Sequence, residues 1–129
     1  MEFKVKNIEE LAKRLQDLIS KKATITKGLH RVRGSVDVTF EDPDRKDKGI
    51  LKLVGCYGLT KRGLMGTKNL YFDVTFKFEQ HTGEYLMKLV DVKVYMIDKG
   101  AVRITKASAP KELYDLVAED MKAAGAVKL

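Results

Sequence analysis

Tryptophan is absent from this chain, cysteine occurs once, and proline and histidine occur twice each. A single Cys56 closes no internal disulfide, which excludes a small cross-linked scaffold; lying in an apolar run, it reads as a small buried hydrophobe. His30 and His81 both sit in turn-like stretches with no cysteine or second histidine at ligand spacing, which argues against a zinc site. No Ser-His-Asp or Cys-His set can be assembled with any specificity, and the stretches Gly55–Gly58 and Gly63–Gly66 are each followed by a strand, where a phosphate-binding loop requires a helix. No cofactor is implied. Runs of about 18 apolar residues, the length that spans a bilayer, are also missing. Side-chain amides are scarce, at Asn7, Gln16, Asn69 and Gln80, against 25 basic and 18 acidic side chains, a balance typical of hyperthermophile proteins.

What is present is a globular composition, 44% apolar and 33% charged, in a length suited to a single domain over residues 1–129. The opening Met1 to Lys6 lacks the basic, apolar and small-residue succession of a secretory leader, so a cytoplasmic location and no membrane partner are expected. The net charge of +7 makes a polyanion a natural partner, because Lys and Arg that settle on phosphates release counterions.

Asn7 and Glu10 make a capping pair, and Ile8, Leu11, Ala12, Leu15, Leu18 and Ile19 recur at helical spacing, which predicts a helix from about Ile8 to Lys21 with Lys21 and Lys22 at its C-terminus. A short extended piece at Ala23 to Lys27 and a turn at Gly28 follow. Arg31 to Phe40 alternates Val32, Val36, Val38 and Phe40 with Arg31, Arg33, Ser35, Asp37 and Thr39, the pattern of one half-buried strand. After a charged loop from Glu41 to Gly49, Ile50 to Leu59 is apolar at nearly every position and includes Gly55 and Gly58, as a strand covered on both faces, or one closely approached by another backbone, would be. Thr60 to Asn69 reads as a flexible basic loop. Pro110, the stripe Leu113, Leu116, Val117, Met121 and Ala124, and the stop at Gly125 predict a closing helix.

Leu70 to Ile97 alternates apolar and polar residues around a turn and reads as a long antiparallel hairpin. A three-residue loop His81-Thr82-Gly83 would set Leu86 opposite Phe78, Val90 opposite Val74 and Val92 opposite Phe72, with Lys88 on the buried side and a bulge near Leu89 and Val90 to relieve it. A second three-residue loop, Asp98-Lys99-Gly100, would place Val94 against Ile104 and Met96 against Val102. The fold class expected is α+β: an N-terminal helix, an antiparallel meander sheet of about five strands, and a C-terminal helix.

This register puts Tyr71 opposite Lys93, Lys93 opposite Thr105 and Tyr95 opposite Arg103 on the polar face. Tyrosines among cations on a sheet suit single-stranded DNA or RNA, because bases stack on aromatic rings while cations follow phosphates. The contact set expected is Arg31, Arg33, Lys61, Arg62, Lys68, Tyr71, Lys93, Tyr95 and Arg103, in a binding protein and not an enzyme. A structural or interaction module that forms a homodimer through the sheet face or the last helix is the alternative. A third reading comes from Asp73 opposite Asp91, with Lys93 two residues on and Glu9 or Glu10 on the first helix. This group resembles the Asp and Asp-x-Lys arrangement of restriction-endonuclease-like metal nucleases, which implies carboxylates holding a metal that activates water and a lysine that steadies charge. The crossover helix of that family is replaced here by the Asp98-Lys99-Gly100 turn.

Overall fold

A computed structural model describes residues 1–21, 24–26 and 28–129. Lys22, Ala23 and Lys27, parts of the expected helix end and extended piece, lie outside the described residues. The order is β1 (Glu2–Val5), α1 (Ile8–Ser20), β2 (Thr24–Thr26), β3 (Leu29–Arg31), β4 (Ser35–Phe40), β5 (Lys48–Gly63), β6 (Gly66–His81), β7 (Glu84–Asp98), β8 (Ala101–Ile104), α2 (Lys111–Ala123) and β9 (Val127–Lys128). One antiparallel sheet runs β2-β3-β5-β6-β7-β1-β9, with β4 prolonging the β3 line along β5 and β8 sharing the β7 edge with β1. The strand count therefore exceeds the five expected. The terminal strands β1 and β9 are too short for alternation to mark them, and the strand read over Arg31 to Phe40 is divided at residues 32–34.

Both helices form where expected. Asn7 Oδ1 accepts the Glu10 amide at 3.0 Å, satisfying one of the free donors that open α1. Gly125, at φ +108°, takes the left-handed conformation that ends α2. The helical stripes join the same core as Leu51, Leu53, Tyr57, Phe72, Val74, Phe76, Phe78 and Met87, so α1 and α2 cover one face of the sheet. Gln16 of α1 also clips the strand line: its amide nitrogen donates to the Gly34 carbonyl at 3.1 Å and its oxygen accepts the Val36 amide at 2.9 Å. The described residues contain no helix long and apolar enough to cross a membrane.

The registers differ from those expected because both turns are two residues long. Thr82-Gly83 and Lys99-Gly100 place a left-handed residue (φ +48° and +50°) before a left-handed glycine (φ +79° in each), a backbone that matches the twist of a tight hairpin. Phe78 consequently faces Met87, Val74 faces Val92 and Phe72 faces Val94. The bulge anticipated near Val90 is present: Phe76 pairs with Leu89 and Thr75 with Asp91, leaving Val90 extra. It exchanges the faces of β7 along its length, so Met87 points into the core on one side of it and Val94 on the other, while Lys88 points out to face Lys77. Leu86, expected in the core, is opposite Glu79 on the outer face. In β8, Ile104 faces Tyr95 and Arg103 faces Met96.

A second irregularity lies in β5, where Val54, Gly55 and Cys56 are accommodated between the Leu53↔Val74 and Tyr57↔Phe72 pairs. Gly55 has φ +60°, and Gly34 packs so closely against it that a Cβ there would lie 2.1 Å from the Val54 carbonyl oxygen.

Beneath this region, Asp120 of α2 is 1% exposed. It accepts two bonds from Arg31, at 3.1 Å from Nε and 2.7 Å from Nη2, and one from the Tyr57 hydroxyl at 2.8 Å. These bonds connect α2 to β3 and β5, and they raise the Arg31 pKa, so that this side chain stays charged. Replacing Asp120 with Ala should cost about 3 kcal/mol by urea denaturation, because it leaves the part-buried Arg31 guanidinium and the buried Tyr57 hydroxyl without their acceptor, whereas Tyr57→Phe should cost about 1 kcal/mol. Equal losses for the two variants would contradict this account.

Candidate nucleic-acid interface

The sheet face turned away from the helices carries Tyr71, Asp73 and Thr75 of β6 and, across from them, Tyr95, Lys93 and Asp91 of β7. Tyr71 and Tyr95 are direct partners, with ring centroids 5.9 Å apart and planes tilted by 31°, and Lys93 Nζ lies 5.6 Å from the Tyr95 centroid. Asp73 is buried although no helix of the described residues covers it. Its Oδ1 accepts the Gly55 amide at 2.8 Å and the Tyr95 hydroxyl at 3.1 Å, so it anchors the β5 irregularity from the outer side. Burial, with Asp73 as the second cause, pushes the Tyr95 hydroxyl up to about 12. His30 and Val32 lean over Gly58 on the same face, where a Cβ would come within 2.9 Å of the imidazole. Ile104 continues the row His30, Gly58, Tyr71, Tyr95 toward the β8 edge.

Thr60 to Asn69 is a two-stranded ribbon instead of a loop. Thr60 pairs with Asn69, Lys61 with Lys68, Arg62 with Thr67 and Gly63 with Gly66, and residues 61–69 are all exposed. Strand alternation places Arg62, Thr67 and Asn69 on the Tyr71 side, and Lys61 and Lys68 on the other. The nine predicted contact residues are thus divided. Tyr71, Tyr95, Lys93 and Arg62 share the outer face, with Tyr95 8% exposed and covered by its neighbours. Lys61 and Lys68 lie on the reverse of the arm. Arg103, expected beside Tyr95, is on the opposite side of β8 and pairs with Asp98 at 3.3 Å. Arg31 is turned into the core against Asp120, and exposed Arg33 sits in the bend at residues 32–34.

Comparison with protein-family models, curated proteins and solved structures finds no match to this chain.

The proposed opposition of Asp73 and Asp91 is overturned: Asp73 faces Lys93, and Asp91 faces Thr75, because the Val90 bulge and the two-residue turn move β7 by two positions relative to the expected register. With Asp73 already holding the Gly55 amide and Tyr95, the nuclease-like reading loses the paired carboxylates on which it rested. Cys56 is buried, and its thiol is pushed up to about 12 by that burial, so it is poorly suited to act as a thiolate.

Clefts among the described residues border the sheet in more than one place. One of about 620 Å³ lies beside the arm and is lined by Gly28, His30, Thr60 and Arg62. Another, of about 710 Å³ near the β6–β7 turn, sets Lys48, Lys77 and Lys88 against Glu2, Glu41 and Glu79, a charge balance that gives a polyanion little purchase.

The sequence reading passed over Asp73 and Asp120 as buried anchors. Asp120 had a visible signal, since it lies in phase with Leu113, Leu116 and Val117 on the apolar stripe of α2, where a carboxylate requires a partner. Asp73 had none, because its burial comes from the β5 irregularity. The fold keeps the Tyr95 proton above its ordinary value near 10. The corresponding stability is complete below pH 10 and lost as pH rises toward about 12. Urea midpoints across that window should fall less steeply for Tyr95→Phe than for the unmodified protein, and parallel pH profiles would refute the assignment.

Proposed function

We propose that the protein binds nucleic acid, taking a single strand across the Tyr71, Lys93 and Arg62 side of the sheet with the basic ribbon alongside. The observation that carries this reading is the distribution of charge: between Asp47 and Asp73 the chain has no acidic residue, and the projecting end of that stretch presents Lys61, Arg62 and Lys68 to solvent. A cationic ribbon of this kind concentrates polyanions and follows phosphates, while Tyr71 offers the ring of the pair that is open enough to stack on a base. Arg31 and Arg103 have no place in this reading, since one is ion-paired in the core and the other lies on the reverse side. Tyr95 acts through Tyr71 by holding its ring.

A homodimer is the second reading, favoured by one observation. Among the described residues β8 pairs only with β7, and its outer-face residues Val102 (58% exposed) and Ile104 (73%) adjoin Ile97 (54%), an apolar free edge that pairing with a second copy would cover. Sedimentation equilibrium would test it directly, with Val102→Lys expected to shift any dimer to monomer.

For the leading reading, anisotropy of a labelled oligonucleotide at several salt concentrations should give a linear log–log decline. Arg62→Gln and Lys93→Gln should each flatten the slope by about 1, and Tyr71→Ala should weaken single-strand binding by roughly 1–3 kcal/mol without changing the slope. Absence of binding even at low salt would dismiss the proposal.

A further inference from the structure

The sheet has three two-residue hairpin turns in succession. Those between β6 and β7 and between β7 and β8 are Thr82-Gly83 and Lys99-Gly100, polar and glycine residues in left-handed conformations, as tight turns prefer. The turn between β5 and β6 is Leu64-Met65. Neither residue has a positive φ, since Gly66 at φ +114° supplies the unusual backbone, and both side chains are fully exposed (107% and 100%). Asn, Asp or Ser would serve this turn equally well, and no core atom gains from Leu or Met there. Their presence at the end of an otherwise polar ribbon points to something outside the fold.

The shape of the ribbon limits what that partner is. At about 3.4 Å per residue, Leu64 stands roughly 14 Å beyond Thr60, whose amide donates to the Gly28 carbonyl beside β3. Farther out the ribbon is two strands wide, a form that enters the grooves of a duplex. Cations occupy both of its faces, with Arg62 on one and Lys61 and Lys68 on the other, directly opposed as like charges that repel until an anion lies between them. Leu and Met are among the apolar side chains that proteins insert as wedges between base steps, and the cations behind this tip stand where flanking phosphates would lie.

We infer that Leu64 and Met65 form a wedge that unstacks bases where a duplex opens into a single strand, the duplex side meeting the ribbon and the unpaired strand passing to Tyr71. This rests on the nucleic-acid reading above and adds the form of nucleic acid recognised. An anionic membrane, which the same apolar tip and cations would also suit, is disfavoured by position: the tip lies on the same ribbon whose outer side leads through Asn69 to Tyr71 and Lys93, groups suited to bases and not to acyl chains.

The test is a forked oligonucleotide, a duplex with a single-stranded tail, carrying 2-aminopurine at its first paired position, followed by anisotropy and by base fluorescence. The unmodified protein should brighten the probe several-fold on saturation. The Leu64→Ser/Met65→Ser double variant has no packing to lose; it should retain the salt slope and fail to brighten the probe. Lys61→Gln/Lys68→Gln should reduce the slope by about 2 and still brighten the probe at low salt. Binding of the fork without brightening, or equal brightening by the double variant, overturns the wedge and leaves the nucleic-acid reading intact. No binding of fork or single strand at low salt removes both. Tip-dependent binding to phosphatidylglycerol vesicles, without brightening of the fork, overturns the wedge in favour of a membrane surface.

Discussion

The hydrogen bond from the Gly55 amide to Asp73 holds the irregularity on which the rest of the sheet depends. β5 carries two more residues than β6 between their Leu53↔Val74 and Tyr57↔Phe72 pairs. Because that excess is even, alternation resumes in phase, and Leu53 and Tyr57 both point into the core. The bend divides the β3 and β4 lines at residues 32–34, requires glycine at position 34, and brings the Asp73 carboxylate beneath the Tyr95 hydroxyl. The odd irregularity at Val90 does the opposite, exchanging faces along β7 so that Met87, Val92 and Val94 all reach the core.

The two faces of the sheet solve different problems. On the helix side, apolar burial is completed by one charged cluster, Arg31, Tyr57 and Asp120, whose atoms are paired with one another at hydrogen-bond distance. Such a cluster adds little net stability over a well-packed apolar substitute, yet it fixes where α2 sits, because each alternative placement would leave a buried charge unpaired. On the other side no helix of the described residues covers the sheet, and Tyr71, Tyr95, Lys93 and Asp73 shield one another. That face meets a ribbon free of acidic residues, the combination from which the functional proposal follows.

Legibility varied with the range of the interaction. The Asn7 cap, the helical stripes and the Gly125 stop were readable because each depends on neighbours within one or two turns. The long hairpin was readable from alternation, and even the Val90 bulge was signalled by the misfit of Lys88. The turn length was misread, since His81-Thr82-Gly83 and Thr82-Gly83 both end on a left-handed glycine and the two differ by one residue. That difference, with the bulge, separated Asp73 from Asp91, and the same shortening at the Lys99-Gly100 turn moved Arg103 off the tyrosine face. The ribbon was taken for a loop because glycines and cations mark both.

By itself the sequence determined most of the apolar residues of the core, the presence and ends of both helices, the antiparallel connectivity of the long hairpins, and a stretch from residue 48 to 72 without acidic residues. These follow from local spacing and residue chemistry. Tertiary structure alone decided that Arg31 turns inward to Asp120, that Asp73 caps a backbone amide, and that the predicted contact residues divide between two faces. Register and burial in a sheet depend on pairing between distant strands, where a one-residue difference in a turn or bulge reverses the side to which every later side chain points.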